Sequence, residues 1–209
     1  MRTNSGMERR ESFDEAPHPV GMMDLGRIQG RAGTRRSDGR EAAVLIPVVQ
    51  RASGPHLVFT KRSDQLSEHP GQMSFPGGSR EPSDGDRFET ASREAYEEIG
   101  LPAEEIDHVG ELDDIKTTTK YVIRPIVSRV PDRPFQPDGV EIVEAPVLPV
   151  SEFLSAHNYE RSLHTDPSGT ERIVHSFEVG GYRVWGATGN LVVQLLELTT
   201  DWRAHLVSD

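Results

Sequence analysis

Phe75-Pro-Gly-Gly78 opens the stretch that decides the fold, and Glu89-Thr-Ala-Ser-Arg-Glu-Ala-Tyr-Glu-Glu-Ile-Gly-Leu101 closes it. The second half has the period of a helix. At about 100° per residue, Phe88, Ala91, Ser92, Ala95 and Ile99 form one small-to-apolar stripe, with Glu94, Glu97 and Glu98 beside it. Asp86 followed by Glu89 reads as a capping box, and Gly100 followed by Pro102 reads as a stop. The spacing therefore predicts a short helix that presents three carboxylates at the end of a glycine loop. Like charges four residues apart destabilise a helix by about 0.2–0.5 kcal/mol. A ladder of Glu89, Arg93 and Glu97 offsets part of this. A bound divalent cation would relieve the rest, and clustered carboxylate oxygens suit Mg²⁺ or Mn²⁺. In isolation such a helix would read as a solvated acidic face; the flanking glycines and arginine favour a site. Gly77 and Gly78 leave room where a backbone must approach phosphate.

The segment resembles the Nudix box, G-x5-E-x7-R-E-U-x-E-E-x-G-U with U aliphatic. Arg93-Glu94-Ala95-Tyr96-Glu97-Glu98-Ile99-Gly100-Leu101 matches its second half. The first half is shifted: Asp84 stands six residues after Gly78 in place of a glutamate, and eight residues separate it from Arg93. This form is similar to the branch of the family that hydrolyses coenzyme A. Leu57-Val-Phe-Thr-Lys-Arg-Ser63, Leu66 and His69-Pro-Gly-Gln-Met-Ser-Phe-Pro-Gly-Gly78 resemble that branch's upstream signature.

The resemblance implies an α+β fold, an α/β/α sandwich around a mixed central sheet. It also implies metal-dependent hydrolysis, with Mg²⁺ or Mn²⁺, of the pyrophosphate of coenzyme A or acyl-coenzyme A. Other nucleoside diphosphate derivatives (ADP-ribose, NADH, a dinucleoside polyphosphate) are the alternative, and a non-catalytic nucleotide sensor is a third reading. Glu94, Glu97, Glu98 and Arg93 become the catalytic set. Glu94 and Glu98, then Glu97, are the metal ligands, and Arg93 holds them by pairing with Glu89 or Glu97. Lys61, Arg62, Ser63, His69, Gln72, Gly77 and Gly78 are the substrate-binding set. Lys61 and Arg62 are the first cations to consider for a ribose 3′-phosphate, with Lys116, Lys120 and Arg124 behind them. The general base is a box glutamate or a later one, Glu141 or Glu144.

The rest of the chain is consistent with a small-molecule enzyme. Its 209 residues suffice for one domain with a buried core. Net charge is −11, with three lysines against 20 arginines, which argues against general nucleic-acid binding. There is no cysteine, hence no disulfide or thiol chemistry. No apolar run reaches the roughly 18 residues of a membrane span. The N-terminus lacks a signal-peptide core, so a cytoplasmic location is expected. The expected partner is a small nucleotide, without nucleic acid or membrane, and a homodimer stays open.

Residues 1–40 read as a disordered tail, and 41–209 as a single domain. Without that tail the net charge is −13. Ala42–Val49 predicts a buried strand, whose Pro47 suggests a bend or an edge position. His56–Lys61 predicts its hairpin partner. Further strands are expected around 73–75, 109–112, 121–130 and 140–144, with a short helix capped by Ser151. Gly180-Gly181 marks a hairpin turn, Trp185 is expected to pack, and a closing helix follows from Ala187.

Overall fold

A computed structural model describes residues 22–165, 169 and 171–204. Its axis is β1 (Arg40–Arg51), apolar on both faces through its middle, as a strand covered from both sides requires. Ala43, Leu45 and Val49 enter one core cluster, and Ile46 and Val48 enter the other. β2 (Gly54–Val58) returns antiparallel, with Val48 opposite Leu57. β3 (Thr60–Arg62), β4 (Met73–Ser74) and β5 (Gly77–Ser79) lead to the long helix α1 (Arg87–Ile99). β6 (Asp107–Glu111), β7 (Ile115–Lys116) and β8 (Tyr121–Val130) follow. β8 lies parallel to β1, from Arg40 opposite Tyr121 to Val49 opposite Val130. β9 (Ile142–Glu144), β10 (Val147–Pro149) and α2 (Val150–Phe153) come next. β11 (Tyr159–Thr165), β12 (Glu171–Val179), β13 (Tyr182–Trp185) and α3 (Gly186–Thr199) complete the fold.

The main sheet runs β10-β2-β1-β8-β6, with β5 on β1 and β7 on β8. It is mixed, because β8 is parallel to β1 and the other pairs are antiparallel. On one face Ala91, Ala95 and Ile99 of α1 pack with Leu45, Val58 and Ile126. On the other, Leu191, Val192, Leu195 and Leu196 of α3 pack with Ile46, Leu57 and Val127. The sheet thus lies between helices, the α/β/α arrangement of an α+β fold. Two three-stranded sheets flank it, β11-β12-β13 and β4-β3-β9.

An aromatic chain joins the smaller sheets to the core. Phe59 stacks on Phe75 at 4.6 Å and on Phe153 at 5.7 Å, and Phe153 meets Phe177 edge-on at 5.4 Å. Tyr159 meets Trp202 at 5.2 Å. Pairs of this kind contribute about 0.5–1.5 kcal/mol beyond their burial. Here they fix Phe75, and with it the start of the glycine loop.

Several expectations need correction. Pro47 does not mark an edge. β1 is central, and Pro47 falls between Val44, where pairing with β5 ends, and Val48, where pairing with β2 begins. Leu45 N–H bonds Pro76 O on that side, and by the two-residue period the missing N–H of Pro47 faces the same side, into the gap. The tail does not extend to residue 40. Residues 22–39 lie on the fold: Leu25–Ile28 form a 3-10 turn, Ile28 is 1% exposed, and Asp24 N–H bonds Thr199 O at 2.7 Å. Residues 1–21 lie outside the described residues. Ser151 is not a cap, because the helix starts at Val150 after Pro149.

Candidate active site

α1 is built as its sequence suggests, with one exchange. Asp86 Oδ1 accepts from Glu89 N–H at 2.9 Å, while the Glu89 carboxylate accepts from Gly85 N–H at 2.7 Å instead of closing the box on Asp86. Gly100 ends the helix in the left-handed region, at φ 64°. Glu89 is therefore engaged elsewhere, and Arg93 does not pair with it. Arg93 donates to Asp84 through Nε (3.1 Å) and Nη2 (3.2 Å). It also reaches Glu94 and Glu97, each at 3.1 Å, and the Ser79 carbonyl at 3.1 Å. Asp84 is buried and accepts further from Thr90 Oγ1 and Glu81 N–H. The Arg93 guanidinium beside it, above all, holds its carboxyl down at about 2. The shifted acid of the box is thus a brace for Arg93.

Two carboxylates of α1 are held above their ordinary range. Glu98 is 9% exposed, and its Oε2 accepts the Gly77 amide at 3.1 Å. Burial pushes its carboxyl up to about 8, with the charges of Glu94 and Glu141 adding and the Gly77 amide and Arg62 opposing. Glu94 is also held above the usual carboxylate range, first by burial, against the pull of Arg93. A Cβ on Gly78 would stand 2.4 Å from Glu94 Oε1, and one on Gly77 would stand 2.3 Å from the Ala43 carbonyl. Gly77 thus lies directly on the backbone of β1, and Gly78 lies directly on the Glu94 carboxylate. Glu97 differs, being 55% exposed at its side chain and turned to Arg93.

Among the described residues, no three acidic or histidine side chains are gathered closely enough to hold a metal as they stand. The chemistry of the donor set nonetheless fits a hard cation. Glu94 and Glu98 offer carboxylate oxygens, and each feels the charge of Glu141. Their ionised forms are disfavoured by a cost that a divalent cation would remove.

The upstream block divides. Lys61 Nζ bonds Glu144 at 2.5 Å, and Tyr182 O–H donates to the other oxygen of Glu144 at 2.6 Å. Arg62 pairs with Glu141 at 2.6 Å. Both cations therefore reach the site with carboxylates attached. Ser63 is buried; its Oγ accepts from Gln65 N–H and its own amide donates to the Glu141 carbonyl. It braces the loop. Lys61, His69 and Gln72 line one cavity of about 410 Å³, together with Tyr182, Arg183 and Trp185. Arg62, Ser63, Gly77 and Gly78 are not among its walls. Thr188 Oγ1 bonds the Met73 carbonyl at 3.2 Å and so ties the start of α3 to this wall. Trp185 is 44% exposed in the cavity rather than packed, with the Arg183 guanidinium 6.0 Å from its ring centre. Tyr182 and Arg183 escaped the sequence reading. The Gly180-Gly181 turn, which returns β13 beside β12, was the signal for them. Arg124 is buried against Asp114 at 3.0 Å and is not available to a ligand.

The NUDIX domain profile matches residues 39–172. The uncharacterized Nudix hydrolase NudL of Yersinia pestis (strain Pestoides F) is 35% identical over 159 residues, covering 76% of this chain and 79% of that protein. The same figures hold for NudL of Yersinia pseudotuberculosis serotype O:1b (strain IP 31758). Among solved structures, a MutT/nudix family protein from Enterococcus faecalis superposes with a TM-score of 0.52 at 10% identity, covering 78% of this chain and 62% of that one, a likeness of fold. The acidic helix, the glycine loop and the sandwich around them are those of a pyrophosphohydrolase. The chain belongs to the Nudix hydrolase family.

Proposed function

We propose that this Nudix hydrolase cleaves the pyrophosphate of coenzyme A or its thioesters to 3′,5′-ADP and 4′-phosphopantetheine or its acylated form. The observation that carries this reading is the shared cavity of Lys61, His69 and Gln72. These are three residues of the upstream signature, and a signature that merely shaped a loop would not need to line a cavity. Trp185 and Tyr182 add aromatic surface and Arg183 a cation, which suits a nucleotide.

Glu94 and Glu98, with Glu97 at the rim, would hold Mg²⁺ or Mn²⁺, which when bound draws charge from the phosphoryl oxygens and acidifies a water. In the hydrolysis a water oxygen bonds to phosphorus, the anhydride P–O bond breaks, and the water's proton passes to a base. We take Glu141 as the later carboxylate that accepts it: its charge acts on both Glu94 and Glu98, and its side chain is paired with Arg62, whereas that of Glu144 is held at both oxygens by Lys61 and Tyr182. Arg93 keeps the helix carboxylates in position, and the Gly77 amide orients Glu98.

The test is a substrate panel read by mass spectrometry. Coenzyme A, ADP-ribose, NADH and a dinucleoside polyphosphate are each offered with Mg²⁺, with Mn²⁺ and with chelator. Metal-dependent release of 3′,5′-ADP, fastest from coenzyme A, is expected. Faster cleavage of ADP-ribose or NADH would keep the chemistry and overturn the substrate.

A further inference from the structure

Four basic side chains come together on walls that share no residue with the cavity of Lys61, His69 and Gln72. Arg36, Lys116, Lys120 and Arg172 line a second cavity of about 480 Å³, with Thr117 and Thr118. They come from the N-terminal arm, the end of β7, the turn that follows it and the start of β12. Among the described lining residues Asp38 is the one acid, and both Lys116 (2.6 Å) and Arg36 (3.6 Å) draw on it. The described wall thus carries more basic than acidic side chains, in a protein whose net charge is −11. Against that background, this is a place where an anion is attracted rather than repelled.

The cavity is also built. Lys120 has a left-handed backbone, φ 67°, in a turn held by Lys120 N–H on the Thr117 carbonyl and Thr117 N–H on the Tyr121 carbonyl. The threonine hydroxyls are donors as well as acceptors. The neighbouring Tyr121 ring lies under Arg40 at 4.7 Å. The Ser79 hydroxyl donates to Tyr121 Oη at 3.4 Å, and the Ser79 carbonyl accepts from Arg93. Two residues thus connect this wall to the brace of the acidic helix.

We propose that this cavity is a site for a phosphate monoester, separate from the carboxylate centre. Guanidinium and ammonium groups with hydroxyl donors suit a phosphate dianion. The volume lies in the range of roughly 300–1,000 Å³ used by small-molecule sites, so there is room for part of the esterified group. The phosphate is carried either by the substrate of the carboxylate centre or by a second, independent ligand. Only this choice of source rests on the coenzyme A reading.

Full-length protein in chelator is titrated calorimetrically with adenosine 3′-monophosphate, with adenosine as the control. The nucleotide is expected to bind where adenosine does not, with affinity falling as salt rises. The double variant Lys116→Gln, Lys120→Gln should lose at least tenfold in affinity at an unchanged melting temperature, since both side chains are at the surface. Equal binding of adenosine, or undiminished binding by the variant, would overturn the site. Kinetics then assign the source. If the phosphate is the substrate's own, the variant raises KM for coenzyme A about tenfold and leaves KM for dephospho-coenzyme A and kcat alone. If the ligand is independent, both KM values stay while nucleotide binding is lost. A protein that cleaves no coenzyme A at all overturns the proposed substrate and leaves the titration to decide this site.

Discussion

Glu98 holds a buried carboxylate where burial and two neighbouring acids oppose its ionisation. Glu98→Gln keeps an acceptor for the Gly77 amide and removes the charge. Turnover should fall by about 10³-fold or more, while thermal stability holds or rises; a variant with full activity would remove Glu98 from the metal site. Glu141→Gln should lower kcat and Glu144→Gln should not, a comparison that separates the two later glutamates. Asp84 works in the opposite direction. Its folded pKa of about 2 lies below the roughly 3.9 of an unfolded aspartate. Its contribution is therefore complete above about pH 4 and disappears as pH falls through 2. Asp84→Asn should cost about 2 kcal/mol in urea unfolding at neutral pH, and the gap to the parent should close in acid. The box glutamates could be read from spacing alone, because a helix fixes neighbours at three and four residues. Arg93's partners could not: Asp84 lies outside the helix, and Glu89 is drawn to Gly85 by a loop amide that no periodicity reveals.

At the scale of elements, the glycine loop and α1 form one device. In Gly78→Ala the new methyl would meet a flexible carboxylate, that of Glu94, rather than backbone. The expected result is a small loss of stability with a large loss of activity, measured by melting temperature beside kcat. Gly189→Ala is the reverse case, since its methyl would stand 2.3 Å from the His175 carbonyl and push α3 off β12. A loss of about 1–3 kcal/mol is expected, with the carboxylates undisturbed. Elements set by local pattern were legible: α1, α3, β1 and the β12–β13 hairpin. β11 was not. Apart from Tyr159 its residues are exposed, so no alternation marks them, and only pairing with β12 makes them a strand. Trp185 was misread for a related reason. It stands in the wall of a cavity shared with the His69–Gln72 loop, a neighbour that its own surroundings in sequence do not reveal.

The whole molecule depends on a segment that composition makes look dispensable. Residues 22–39 carry charge, glycine and serine, yet they lie backbone against backbone on the fold. A Cβ on Gly33 would stand 1.7 Å from the Leu112 carbonyl, and one on Gly110 would stand 2.1 Å from the Ile28 carbonyl. Removing residues 1–39 should uncover the Ile28 pocket and cost at least about 2 kcal/mol in denaturant unfolding; an unchanged midpoint would show that the arm is ornamental. The sequence hid this because Met23, Leu25 and Ile28 pack on the core without a sustained period, and the close backbone approaches at Gly33 and Gly110 leave no trace in composition. The arm also has an address at the other end of the chain. Asp24 bonds the Thr199 carbonyl and Arg27 bonds the Thr200 carbonyl at 3.0 Å. The Arg27–Thr200 bond spans 173 residues of chain, so this hold closes only once α3 is in place, whereas the hold of the same arm on β6 does not wait for it. Closing so long a loop is not prohibitive, since each doubling of loop length adds only about 0.6 kcal/mol.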